Sequence, residues 1–226
     1  MSFAPDDFFD LDAFGHKAIF AGCTHVWDVL PRIGAYVREN VKPGVHGTVE
    51  DGAHVIGDVF IGEGTVVEAG AYIRGPVIIG QDCEIRMGAY IRGDALVGDG
   101  CIVGNSTELK NTLLLDRAMA PHYNYCGDSV LGNDSNLGAG TKLSNFKIAA
   151  DKTIRLLVDG KSIDTGLIKF GAILGDGAST GCNAVLNPGT VIGRGSLVYA
   201  GAAIRGYVPP GTIVKLRQNF ELGDIR

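Results

Sequence analysis

The amino-acid sequence predicts an all-β fold, a left-handed parallel β-helix of hexapeptide repeats behind a short, partly helical N-terminal segment. Three observations predict it. From residue 49 an aliphatic residue recurs every six positions: Val49, Val55, Ile61, Val67, Ile73, Ile79, Ile85, Ile91, Val97, Val103, Leu109 and Leu115. Two places before each from Val55 onward stands a small or apolar partner, as at Ala53, Val59, Thr65 and Ala71. Glycine supplies 34 of 226 residues, about twice the ~7 % ordinary share, without the strict three-residue repeat of collagen. A period of six is neither the helical 3.6 nor the simple strand alternation of two. It fits a triangular coil in which three short strands make one turn, the aliphatic residue points inward, and glycine permits the corner.

Residues 1–44 differ in composition. Segments 6–14 and 25–40 carry apolar residues at roughly helical spacing, interrupted by Pro31, and Pro43-Gly44 ends this part. The coil is expected over 45–206. Its period fails twice. After Leu115 it is lost through DRAMAPHYNYCGDSV and resumes at Leu131, Leu137 and Leu143. It fails again at 144–172, where an excursion over 147–169 contains a β-hairpin around Asp159-Gly160. A second regular run follows, with Leu174, Thr180, Leu186, Ile192, Val198 and Ile204 inward. Residues 207–226, with Pro209-Pro210, read as a C-terminal tail. Segments that leave a rigid repeat scaffold are where function concentrates.

Composition limits the partners. A net charge of −5 and a pI near 5.5 argue against nucleic acid. No apolar run approaches the ~18 residues of a membrane span, and the opening MSFAPDDFFDLD lacks the basic and apolar regions of a signal peptide. The five cysteines show no CxxC spacing, so neither a disulfide framework nor a zinc ribbon is expected. A soluble protein in a reducing cytoplasm follows as the expectation. His16, His25, His46, His54 and His122 lack the convergent spacing of a three-histidine zinc centre, so no metal is expected.

Three hexads make eighteen residues, so positions eighteen apart should stack on neighbouring coils about 4.8 Å apart. Arg74, Arg92 and Lys110 then form one column of positive charge. Two unit charges that close repel by roughly 3 kcal/mol at an effective dielectric of 20, so the column needs anions. Acidic neighbours such as Glu68, Glu84 and Glu108 could supply them, or a phosphate could. Cys83 and Cys101 are also eighteen apart, at inward positions, and read as stacked core thiols. His122 lies in the first break, where an imidazole suits proton removal from an amine or hydroxyl. Asn136 and Asn145 follow; asparagine can hold hydroxyls or an oxyanion.

The stretches Asn105-Ser-Thr-Glu-Leu-Lys-Asn-Thr, His122-Tyr-Asn-Tyr125, Leu137-Gly-Ala-Gly-Thr141 and Asn145-Phe146 resemble the acetyltransferase domain of bifunctional N-acetylglucosamine-1-phosphate uridyltransferase, a hexapeptide-repeat acyltransferase. The similarity covers about residues 49–217. It implies a homotrimer with active sites between subunits and acetyl-CoA as co-substrate. It further implies that His122 is the general base toward an amino-sugar 1-phosphate such as glucosamine 1-phosphate. Arg92, Lys110 and Tyr125 would bind the sugar phosphate, Asn136 and Asn145 would orient sugar and amine, and Lys169 would reach a neighbouring subunit's phosphate. Ala139, Cys182, Ala200 and Arg217 would face acetyl-CoA. Phe146 and Cys182 stand where that family has tyrosine and serine, and the excursion is longer than the family's loop. Segment Val26-Trp-Asp-Val-Leu30 resembles the connector before the β-helix of two-domain sugar nucleotidyltransferases. No Gly-rich loop of the L-A-A-G-x-G-T-R type occurs, so uridylyl transfer is not expected. The alternative is a non-catalytic module that binds sugar phosphates or nucleotide sugars.

Overall fold

The computed structural model describes residues 2–218, 221 and 225. Short strands of two to seven residues stack coil on coil, and among the described residues they form a 15-stranded and a 9-stranded parallel sheet. The larger sheet wraps two faces of a left-handed triangular coil and the smaller one covers the third. Aliphatic residues of the six-residue period fill the interior: Ile61, Ile73, Ile79, Ile85 and Ile91 are fully buried. Cys83 and Cys101 lie in that same core as free thiols. The bond to Cys101 lowers the Cys83 thiol against its burial, while burial, then the bond to Cys83, raises the Cys101 thiol strongly.

Eighteen residues separate paired positions in the first coils, as in Val59↔Val77 and Val77↔Ala95. Two later coils are shorter. Leu109 pairs with Cys126 and Leu114 with Leu131, seventeen positions on, and Cys126 pairs with Leu143 at the same interval. The first apparent break is therefore no excursion: strands Met119–His122 and Tyr125–Leu131 continue the coil. Its inward residues are Ala120 and Cys126, both fully buried and too small to show as an aliphatic repeat. Leu114, not Leu115, points into the coil, while Leu115 packs in a second core outside it. The missing residue is lost at the turns Lys110–Asn111–Thr112 and Gly127–Asp128–Ser129. There Asn111 and Asp128 adopt left-handed backbone conformations at φ 48° and 47°, which these two residue types tolerate better than most.

The second break is an excursion, and it contains the expected antiparallel hairpin, Arg155–Val158 against Lys161–Asp164. The coil also continues beyond residue 206. Tyr207–Val208 pairs with Val191–Ile192, and Ile213–Val214 pairs with Leu197–Val198, so the segment expected as a tail adds the last coil.

Residues before 44 fold as Pro5–Phe8, Lys17–Phe20, Val26–Arg32 and Ile33–Asn40, mixed α and 3₁₀ turns. Pro31 sits inside the 3₁₀ turn rather than breaking a single long helix. This segment and the hairpin cover one outer face of the coil. Trp27, Phe8, Phe9, Leu30, Ile33 and Phe170 pack there on the outward side chains Ile78, Leu96, Leu113, Val130, Ile173 and Val191. Burying such large side chains contributes roughly 1.5–3 kcal/mol each. One face is thus committed to stability, and the other two remain free to carry a site.

Where coils meet at corners, space is set by glycine. A Cβ at Gly104 would overlap the carbonyl of Pro121 on the next coil. Gly104→Ala should lower stability by about 1–3 kcal/mol, read as a fall in the thermal midpoint; an unchanged midpoint would contradict this packing.

Candidate functional site

The shortened turns bring together a polar cluster around Asp128, the next step of eighteen after Lys110. Lys110 Nζ donates to both carboxylate oxygens of Asp128, at 2.9 and 3.0 Å. Asn111 Nδ2 donates to Asp128 Oδ1 at 3.0 Å, and Asn145 Nδ2 donates to Asp128 Oδ2 at 2.5 Å. The Asp128 side chain is only 6 % exposed and that of Lys110 24 %, so the pair is held largely out of water. Beside it the Tyr125 hydroxyl donates to Asn145 Oδ1 at 3.4 Å. Burial, then the negative charge of Glu108, pushes the Tyr125 phenol upward, which keeps it protonated as a donor.

Arg92 and Lys110 occupy one column, as the spacing predicts. Arg92 is paired with Glu108, and that bond pushes the guanidinium further up. Of the three acidic neighbours expected to compensate the column, Glu108 alone meets it. Glu84 pairs with Arg86, and Glu68 accepts the backbone N–H of Met87. Asp128 and Asn111 are members that the sequence reading leaves out, although Asp128 is the next step of eighteen after Lys110. Lys169, exposed, lines a cavity of about 260 Å³ with Asn111, Asp128, Leu30 and Pro31 of its own chain. The N-terminal segment joins the cluster directly, because Asn111 Nδ2 also donates to the Leu30 carbonyl at 3.1 Å.

His122 belongs to a different corner. It pairs with Asn105, and its carbonyl accepts from Gly140 N–H at 2.9 Å, which sets Ala139 beneath it. Asn183 N–H bonds the Ala139 carbonyl at 2.8 Å, and Gly201 N–H bonds the Cys182 carbonyl at 2.9 Å. His122, Ala139, Cys182 and Ala200 are therefore successive members of one column on successive coils. His122 and Cys182 are exposed. Arg217, exposed, follows the last strand, Ile213–Val214, at the far end of this column. Tyr125 comes three residues after His122, beyond the corner at Tyr123–Asn124 that separates the 9-stranded from the 15-stranded sheet.

Asn136 joins neither group. It pairs with Met119 and Ser179 on the 9-stranded sheet, three residues before the column of His122 and Ala139. Phe146 is 43 % exposed and lies under the Lys152 ammonium, 4.6 Å from the ring centroid. Among the described residues no group of His, Cys, Asp and Glu is arranged to hold a metal ion, and no helix is long and apolar enough to cross a membrane.

The chain is a hexapeptide β-helix domain similar to part of the bifunctional GlmU proteins. The family described as GMPPB C-terminal domain matches residues 73–163. A bifunctional protein GlmU of Methanococcus maripaludis (strain C7) is 43 % identical over 190 residues, 84 % of this chain and 46 % of that protein. The GlmU of Methanococcus vannielii is 36 % identical over 178 residues, 79 % of this chain and 42 % of that protein. The chain thus spans less than half the length of these relatives. Among solved structures, the UDP-N-acetylglucosamine acyltransferase of Francisella novicida aligns at a TM-score of 0.41 and 15 % identity, over 75 % of this chain and 64 % of that one.

A Cβ at Gly127 would lie 2.6 Å from both Asn145 Nδ2 and the Tyr125 hydroxyl. Gly127→Ala should displace both groups, shifting the Tyr125 ring resonances, and should lower stability by about 1–3 kcal/mol in denaturant titration. Unmoved resonances with unchanged stability would show that the cluster is looser than its geometry implies.

Proposed function

We propose that this domain transfers an acetyl group from acetyl-CoA to the amino group of an amino-sugar 1-phosphate, glucosamine 1-phosphate or a close relative. The observation that carries the reading is the register of the exposed corner. It sets His122 on the column of Ala139, Cys182 and Ala200, with Tyr125, Asn145 and Lys110 beyond the corner. A long thioester substrate could run along the column while a sugar phosphate lay across the face.

Charge supports the phosphate half. Four cations, Arg74, Arg92, Lys110 and Lys169, stand against two carboxylates, Glu108 and Asp128, leaving a formal +2 (4 − 2). A phosphomonoester carries ≈ −1.5 to −2 at neutral pH, so the corner suits one phosphate. Tyr125 would add a neutral donor to the same oxygens.

In the proposed step His122 takes a proton from the acceptor amine as the nitrogen attacks the thioester carbonyl. The new C–N bond replaces the C–S bond, and the departing thiolate is protonated to free CoA, with no acyl-enzyme intermediate. Asn145 orients the amine, and Asn136 stays at the edge of the sugar. Backbone groups at Ala139 and Ala200, the Cys182 side chain and Arg217 would follow acetyl-CoA along the column. A homotrimer, with Lys169 shared between neighbouring subunits, belongs to the same proposal; the free Lys169 beside Asp128 supports such a reach.

The test is thiol release from acetyl-CoA with a panel of amino-sugar phosphates. His122→Ala should lower kcat by roughly 10²–10⁴-fold with the fold retained; unchanged turnover eliminates the histidine as base. Sugar-phosphate binding without thiol release for any acceptor would identify a binding module instead.

A further inference from the structure

Asp128, eighteen residues beyond Lys110, has no part in the transfer step above, yet it is the hub of the cluster. Its side chain is nearly buried, and four hydrogen bonds converge on it from three residues: two from Lys110, one from Asn111 and one from Asn145. An ionised carboxylate only accepts. Asn145 must therefore turn its NH₂ end toward Asp128, and that choice leaves Oδ1 on the other side, where it already accepts from the Tyr125 hydroxyl. The end of the amide turned away from Asp128 is an acceptor.

We infer that Asp128 is a positioning residue that locks the Asn145 amide with its carbonyl oxygen turned away from the carboxylate, so that the site selects an acceptor bearing an amine over one bearing a hydroxyl. This rests on the amino-sugar phosphate reading of the same site. An ammonium or amine offers two or three donors and no competing need to donate elsewhere, whereas a hydroxyl offers one donor. Hydrogen bonds to charged groups are also the stronger kind. The same carboxylate neutralises Lys110, so the cation that would hold phosphate is restrained by the group that sets the amine contact. Asp128 thus couples the two ends of the acceptor, trading phosphate affinity for amine selectivity.

The coupling separates this role from mere support of the fold. Asp128→Asn is a mild change for the backbone, because asparagine tolerates the left-handed φ of 47° at this position. An asparagine there both donates and accepts, so the Asn145 amide is no longer forced one way, and Lys110 is freed. Binding of glucosamine 1-phosphate and glucose 1-phosphate to the full chain is measured by calorimetry for wild type, Asp128→Asn and Asn145→Ala. Wild type should prefer glucosamine 1-phosphate by about tenfold. Asp128→Asn should bring the two affinities within about twofold of each other while binding glucose 1-phosphate as tightly as wild type or tighter. Asn145→Ala should remove the preference for glucosamine 1-phosphate, because the amide acceptor is gone.

A preference retained in Asp128→Asn overturns the inference, as does equal weakening of both ligands, which is what a purely structural role would give. Absence of any preference in wild type, or of binding to either ligand, overturns it too. Thiol release by wild type is scored separately: selective binding without release would sink the transferase reading while leaving the role of Asp128 standing.

Discussion

Each coil of this protein is tied to the next by parallel backbone hydrogen bonds, so a residue's column is decided by how many residues make up each turn. That single count controls everything outside the core. With eighteen residues per turn, Arg74, Arg92 and Lys110 line up. With seventeen, Lys110 falls beside Gly127, and Asp128 arrives within hydrogen-bond reach of a cation one coil away. Two deletions of one residue each, at neighbouring corners, convert a uniform scaffold into one with a local polar centre. The inward periodicity survives because each shortened turn resets it without turning a core residue outward.

Much of the fold was legible because burial inside a triangular coil demands a side chain of the same kind every sixth position. The signal faded where the inward residues were Ala120 and Cys126, which fill the same core with less volume and do not stand out from surface alanines. A stretch that reads as a break is thus regular coil, while the equally aperiodic stretch after residue 144 is a real excursion. Only the second contains a strand pair of its own, and its alternating Leu156 and Val158, buried against the outer core, distinguish it. The N-terminal segment was legible as helical in spacing but not in destination. Its partner face, Ile78, Leu96, Leu113, Val130, Ile173 and Val191, is recorded in the sequence as an outward apolar residue beside an inward one, a pattern the six-residue period conceals.

For the site, spacing correctly put Arg92 over Lys110, and Glu108 was a sound choice of counter-anion for Arg92. Asp128 is found by carrying the step of eighteen once more from Lys110; what that step does not show is the one-residue loss at each turn, which pairs Lys110 with Gly127. Gly127-Asp128-Ser129 otherwise resembles any polar corner. Asn136 lies nine residues before Asn145 with the corner at Gly140 between them, so the two amides sit on different faces of the coil.

The position of the cluster follows from the same geometry. A corner is where the backbone of a coil turns and where outward side chains diverge, so a pocket needs additional walls. Here the corner with the two deletions is also where the excursion departs, since Gly171 N–H bonds the Asp128 carbonyl and Phe170 N–H bonds the Asn145 carbonyl. The returning strand brings Lys169 to the cavity and Phe170 to the outer core, whose other wall holds Leu30 against Asn111. Removing solvent from Asp128 would be costly for an isolated carboxylate; three donor residues, Lys110 and Asn111 on one turn and Asn145 on another, offset it. The charge is therefore held by the coil rather than by flexible loops, so a ligand entering this corner meets donors and acceptors whose directions are already set.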